Sequence, residues 1–266
     1  MQQTLDCNYW DMVADRLTSP IFEKNVGLYY KDEHISLIKK WSEGLPGKRI
    51  LKTDLFEEAF SCGDFLPWLS AQNAIVFGMD ISSKIVRKAC DNIGVYGSAH
   101  GKNFIVSDVS SCAFKNESFD LVISNSTIDN LSSEDAILAL KEFRRILRPS
   151  GTLILTLDNR NNPLYFLGYL AEKVLKTNKY YQGRCYSVKE AMLLAKGNNF
   201  KVEEITSIVH IPTPFNKIAL SLSKVQLKCF ERFIVRCINI FSKLLDNKRI
   251  GFLSGWFIAL KLTKNE

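Results

Sequence analysis

The sequence lacks the features that carry a chain across a membrane or staple it from outside. No uninterrupted apolar run reaches the ~20 residues needed to span a bilayer, so the expectation is a soluble chain or one attached to a membrane face. Asp6, Asp11 and Asp15 stand where a secretory leader would carry a basic segment and an apolar run, and no leader is expected. The seven cysteines, Cys7, Cys62, Cys90, Cys112, Cys185, Cys229 and Cys237, are odd in number and scattered. Without a C-x-x-C pair they indicate neither a disulfide framework nor a zinc site, and they suit a reducing cytoplasm. Over most of its length the chain also lacks net charge. The total is +7, but 215–249 alone holds eight basic residues against Glu231 and Asp246, which leaves the remainder close to neutral.

What is present is enough apolar material, 46% of 266 residues, for one substantial core. The stretch 49–92 reads as strand, loop, helix, strand, helix. Ile50 and Leu51 open a short buried strand, and the apolar run Ala74-Ile75-Val76-Phe77-Gly78-Met79 forms a second that stops on Asp80. An acid at the carboxyl end of the second strand of a βαβ unit lies where such folds bind the hydroxyls of a ribose. Ser82 or Ser83 then caps a helix running to about Ile93, and Asp80 could also serve only to help that cap. The alternation continues with strands at 103–106, 118–124 and 152–157 and a helix at 133–147 that Pro149-Ser150-Gly151 stops. This order predicts a mostly parallel sheet covered by helices on both faces. Asp80, Asp108, Asn125 and Asp158 would then converge at the carboxyl ends of its strands.

Four stretches together carry a resemblance: VFGMDIS around Asp80, VSDVSSCAF around Asp108, SFDLVISNSTIDNL, and EFRRILRPSGTLILTLDN. With them the chain resembles the class I S-adenosylmethionine-dependent methyltransferases, in particular the small-molecule branch called type 11. The resemblance implies a Rossmann-like fold with S-adenosylmethionine as cofactor. It places Asp80 and Ile81 at the ribose, Asp108 and Val109 at the adenine, and Asn125 in the motif after the fourth strand. The departure is the first loop, 52–64. The family has an acid followed by a glycine-rich turn there; this chain has Lys52-Thr53-Asp54-Leu55-Phe56-Glu57-Glu58 and a single late glycine, Gly63. Without glycines the backbone approaches a ligand less closely. The cofactor's methionine end is cationic, so carboxylates can replace backbone contacts, with Asp54 first and Glu57 second for its ammonium.

Methyl transfer is an in-line displacement, and a base is needed only for a hydroxyl or protonated amine acceptor. Candidates are His210, after a sixth strand at 201–209, and Asp129, which could equally cap the following helix. Asp158, Asn159, Tyr181 and Arg184 are the candidate acceptor contacts, with Arg184 suited to an anionic group. An aromatic-rich arm, 1–44, precedes a methyltransferase core at 45–214 and 251–266. The arm includes a helix at 31–41, where His34 is either packed or facing a substrate. A helix at 164–175 supplies pocket wall, and Ser187 with Glu190 forms a capping box for a helix at 188–196. Between the core segments, 215–250 reads as a helical cap with a basic stripe, either a solvated lid or a surface for an anionic membrane. A last strand covers 255–263. The chain is thus expected to be a methyltransferase for a small or lipid-linked acceptor, cytoplasmic or peripheral to a membrane, with no metal and no nucleic-acid partner. A catalytically silent scaffold and a membrane-surface adaptor are the alternatives, separated from it by cofactor binding and by vesicle binding.

Overall fold

The computed structural model describes residues 6–17, 24–60, 65–94, 103–175, 180–181, 183–210 and 249–265. Seven strands form one sheet: β1 (Arg49–Lys52), β2 (Ile75–Asp80), β3 (Phe104–Val106), β4 (Phe119–Asn125), β5 (Leu147–Asp158), β6 (Phe200–Ile208) and β7 (Phe257–Lys264). Their spatial order is β3-β2-β1-β4-β5-β7-β6. Pairs β1/β2, β2/β3, β1/β4 and β4/β5 are parallel, whereas β7 runs antiparallel to both β5 and β6. The chain steps outward from β1 to β3, then returns to start again beside β1 at β4. That reversal opens a crevice at the carboxyl ends of β1 and β4, the place where open α/β sheets bind ligands.

The helices follow from the apolar pattern. On one face lie α2 (Lys24–Trp41), α4 (Phe65–Ala71) and α5 (Ser83–Gly94), which bury Ile38, Trp41, Leu66, Leu69, Ile85 and Ala89 against Ile50, Leu121, Ile123 and Ile154 of the strands. On the other, α6 (Ser133–Ile146) and α8 (Val188–Gly197) bury Ala139, Leu140, Phe143, Ala191 and Ala195 against Leu51, Val122, Leu153 and Leu155. Neighbouring residues of one strand thus serve opposite faces, as the pleat requires. The Ser187 and Glu190 capping box forms as the sequence predicts.

Four local expectations need correction or extension. The 31–41 helix begins seven residues earlier, at Lys24. In the arm, α1 (Cys7–Arg16) is a further helix, started by Asp6, whose side chain accepts from Tyr9 N. The expected loop 52–64 contains a short helix, α3 (Phe56–Phe60). Finally, α6 stops at Ile146 and β5 begins immediately, so Pro149 interrupts no helix. A residue before proline is pushed out of the helical region, and Leu147 instead pairs with Phe119 while Arg148 forms an ion pair with Asp120. Residues 211–248, which hold nearly all of the expected basic cap, lie outside the described residues, as does Gly63. Among the described residues no helix is long and apolar enough to cross a membrane.

Candidate functional site

A cavity of about 510 Å³ opens at the carboxyl edge of the sheet. Its floor comes from residues at and just beyond the ends of β1, β2, β4 and β5, and its walls from α1, α2, α7 (Pro163–Leu175) and Tyr180, Tyr181 and Gly183. The volume lies within the roughly 300–1,000 Å³ usual for small-molecule sites.

At the end of β2, the Asp80 carboxylate is fixed by the backbone. Oδ1 accepts from Ser82 N at 2.9 Å and Oδ2 from Leu55 N at 3.2 Å. Burial, then the neighbouring Asp54, pushes its pKa up to about 7. Ser82 caps α5, its hydroxyl accepting from Ile85 N at 3.1 Å and donating to Asp11. Asp11 also accepts from Lys84 N, so α1 is tied to the start of α5. Burial opposes the Asp11 charge, but these contacts outweigh it and hold its pKa below the usual carboxylate value.

The end of β1 is built differently. Lys52 is wholly buried there and donates to Glu58 Oε2 at 2.9 Å and to the backbone oxygen of Asp54. Glu57 Oε2 lies 3.6 Å away. Burial works against the Lys52 charge, yet Glu58, Glu57 and Asp54 together raise its pKa and hold it protonated. The ammonium thereby pins the turn onto α3, and Asp54 Oδ1 accepts from Phe56 N at 2.7 Å. Leu55 reaches under the sheet edge because Gly78 leaves room: a Cβ at Gly78 would lie 2.7 Å from Leu55 Cδ2.

Beyond β4, Asn125 is buried and lines the cavity, and neither its amide oxygen nor its nitrogen has a hydrogen-bond partner. Ser126 follows with φ +46°, a left-handed conformation that non-glycine residues adopt at a cost and that clusters at functional sites. Asp129, in a 3-10 turn over Ile128–Asn130, accepts from Asp158 N at 2.9 Å through Oδ2, while its Oδ1 has no partner. Burial and then Asp158 push the Asp129 pKa well up. Burial also raises Asp158, to about 7, against a hydrogen bond from Tyr165 that lowers it. Gly183 lets the chain at 183–184 pack onto this turn: a Cβ there would sit 1.9 Å from the Asp129 carbonyl oxygen, and Arg184 N donates to that oxygen at 2.9 Å.

Of the residues singled out in the sequence, Asp54, Glu57, Asp80, Ile81, Asp108, Val109, Asn125, Asp129, Asp158 and Tyr181 line this cavity. Asn159, Arg184 and His210 do not. Asn159 is buried and clamps the Phe252 and Gly255 carbonyls at 2.7 and 2.8 Å, a structural duty that consumes its amide. Arg184 lies over the Tyr186 ring and 3.7 Å from Glu190, outside the cavity lining, though its charge acts on Asp129. His210 is buried with Nδ1 2.8 Å from Ser254 Oγ and Nε2 3.2 Å from the Ser207 carbonyl, which engages both ring nitrogens at the carboxyl end of β6. His34 is likewise packed, with Nδ1 2.8 Å from the Tyr30 carbonyl.

Several cavity residues had no individual role in the sequence reading: Trp10, Tyr30, Phe56, Tyr165, Tyr180, Trp256 and Phe257. Trp10 meets Phe56 edge to face at 5.8 Å, Phe56 meets Tyr180 at 5.0 Å, and the Tyr9 hydroxyl accepts from Tyr181 N at 2.6 Å. The aromatic density of the arm was the available signal. Nothing in the spacing links residue 10 to residue 180.

Residues 59–155 match the family model described as "Methyltransferase domain". Among solved structures, the fold is similar to a chain of the Haloferax volcanii complex between the Trm112 methyltransferase activator and a methyltransferase, at 17% identity and TM-score 0.61 over 98% of this chain and 97% of that one. Magnesium protoporphyrin IX methyltransferase from Synechocystis PCC 6803, solved with bound SAH, is similar at 14% identity and TM-score 0.60 over 97% and 98%. A Thermotoga maritima SAM-dependent methyltransferase is similar at 19% identity and TM-score 0.56 over 97% and 94%.

Proposed function

We propose that this chain, an enzyme with the class I S-adenosylmethionine-dependent methyltransferase fold and methyltransferase domain, moves a methyl group to a small or lipid-linked acceptor bound beside Asp129 and Asp158. The observation that carries the reading is the grouping of Asp80, Asp108 and Asn125 along one cavity at the switch point of the sheet. S-adenosylmethionine supplies, when bound, an electrophilic methyl group on a sulfonium.

The residues present suit that cofactor. Asn125 keeps a buried amide with no protein partner, which a bound polar ligand would satisfy. Asp80 would receive the ribose hydroxyls, and Val109 offers an apolar flank for the adenine beside Asp108. Asp54 and Glu57 give the methionine ammonium a carboxylate environment in place of a glycine-rich turn. Trp10, Phe56 and Tyr180 exclude water from the same end. Asp158, raised by burial to about 7, can hold or accept a proton near neutral pH at the acceptor end, and burial and then Asp158 push Asp129 towards its protonated form.

The lipid-linked form of the acceptor draws on the basic stretch 215–249 of the sequence, which would select an anionic membrane face. Sedimentation with anionic vesicles tests that part. The cofactor reading is tested by calorimetric titration with S-adenosylmethionine and S-adenosylhomocysteine, on the wild type and on Asp80→Ala. Binding that weakens in the variant supports it. No binding to the wild type overturns it and favours a catalytically silent scaffold.

A further inference from the structure

The cavity also holds acidic groups that the cofactor contacts do not use. Asp129, Asp158 and Glu172 line it with Tyr30, Tyr165 and Tyr180, of which Tyr30 and Tyr180 also face Asp54 and Glu57. No lysine, arginine or histidine is among the described residues that line the cavity, and the cation that acts on Asp129, Arg184, is not part of that lining. Asp129 is only 2% exposed and lines the cavity; its Oδ2 is taken by Asp158 N, while Oδ1 makes no hydrogen bond of normal geometry, although the Ser126 hydroxyl also favours the charged form of the carboxyl. A buried open carboxylate oxygen is costly unless a donor or a cation arrives to meet it. Aromatic faces attract cations as well. An anionic acceptor would meet the opposite: like charge, and no cation in the described wall.

We propose that the acceptor is an amine that enters as an ammonium ion, recognised by Asp129, Asp158 and the surrounding tyrosine rings. This rests on the methyltransferase reading and specifies its substrate class. An ammonium has no lone pair to offer. Its proton passes from nitrogen to an Asp158 carboxylate oxygen, leaving a neutral amine with a free lone pair and a neutral carboxylic acid, so charge is conserved. Asp158 faces the Tyr165 hydroxyl of α7, which donates to it, and Asp129 of the 3-10 turn; Tyr30 of α2 also lies within its field. Its pKa, raised by burial to about 7, suits a group that must both attract the cation and take the proton.

The test compares three probes on one carbon skeleton, 2-phenylethylamine, 2-phenylethanol and phenylacetate, titrated calorimetrically into protein saturated with S-adenosylhomocysteine. The amine should bind about tenfold or more tighter than the alcohol, with phenylacetate weakest. Asp158→Asn should lower amine affinity about tenfold and leave the alcohol nearly unchanged. Glu172→Gln, at an exposed position, should give a smaller loss for the amine alone. Intact S-adenosylhomocysteine binding with equal affinities for amine and alcohol, with no amine binding, or with phenylacetate tightest, overturns the proposal by itself. Absence of S-adenosylhomocysteine binding removes the methyltransferase reading and this proposal together.

Discussion

At the end of β2, one carboxylate is held by two backbone N–H groups; one strand away, at the end of β1, one ammonium is held by acidic side chains and a carbonyl. Both loops edge the same cavity, and each places a charged group at the end of a parallel strand. The β2 loop does so with local backbone geometry, which any sequence of the right pattern can reproduce. The β1 loop has exchanged glycine flexibility for a buried ion pair, and its shape depends on the identity of Lys52 and Glu58. One loop should therefore tolerate loss of its charge as a fold and fail as a ligand site, whereas the other should fail as a fold.

The largest effect should come from Lys52→Met. It leaves Glu58 buried without its partner, and breaking such a pair costs about 3–5 kcal/mol. A urea midpoint should record that loss, and Lys52→Met/Glu58→Leu should regain most of it because two apolar groups leave no orphan charge. A loss below about 1 kcal/mol in the single variant would mean that the pair does not hold the turn. Asp80→Ala comes next, with S-adenosylhomocysteine affinity falling roughly 10- to 100-fold for the loss of charge-assisted hydrogen bonds of about 1.5–3 kcal/mol. Its far-ultraviolet circular dichroism should match the wild type.

The pH dependence is of unusual sign. Asp80 and Asp158 keep their protons up to about pH 7 in the folded protein, whereas in the unfolded chain they lose them near the ordinary carboxylate value. Between those values the folded state binds more protons, so their contribution to stability is full below about pH 4 and is lost as pH rises to about 7. The decline, followed by urea midpoints of the ligand-free protein across that range, should shrink in Asp158→Asn. The smallest effect is Asp11→Ala, which removes acceptors at the start of α5 and should cost about 1 kcal/mol in the same measurement.

The contrast between the loops also explains what the sequence could reveal. Strands β1 to β5 and helices α5, α6 and α8 were legible because their apolar periods and caps are short-range signals, and Asp80 stood out because it ends such a run. The acids after β4 and β5 were legible for the same reason. The β1 loop was not. Its deciding bond joins Lys52 to Glu58 across a turn, on a helix of five residues too short to show a period. His210 and Asn159 looked chemical because they follow strands, yet both are spent on backbone and hydroxyl groups of the 251–255 turn and its neighbours, contacts set by the antiparallel return of β7. The aromatic wall joins residues 10, 56 and 180, and only the assembled sheet brings them to one place.

Lys52 is the one lysine among the described residues with no exposed surface. Amine-reactive acylating reagents need contact with a free amine, and the native packing denies them both contact and deprotonation. The side chain is therefore a built-in clock for opening of the β1 turn: its labelling, followed by mass spectrometry, proceeds only as often as α3 lifts away. A ligand seated against Asp54 and Glu57 should slow that clock while surface lysines go on reacting at their ordinary rate.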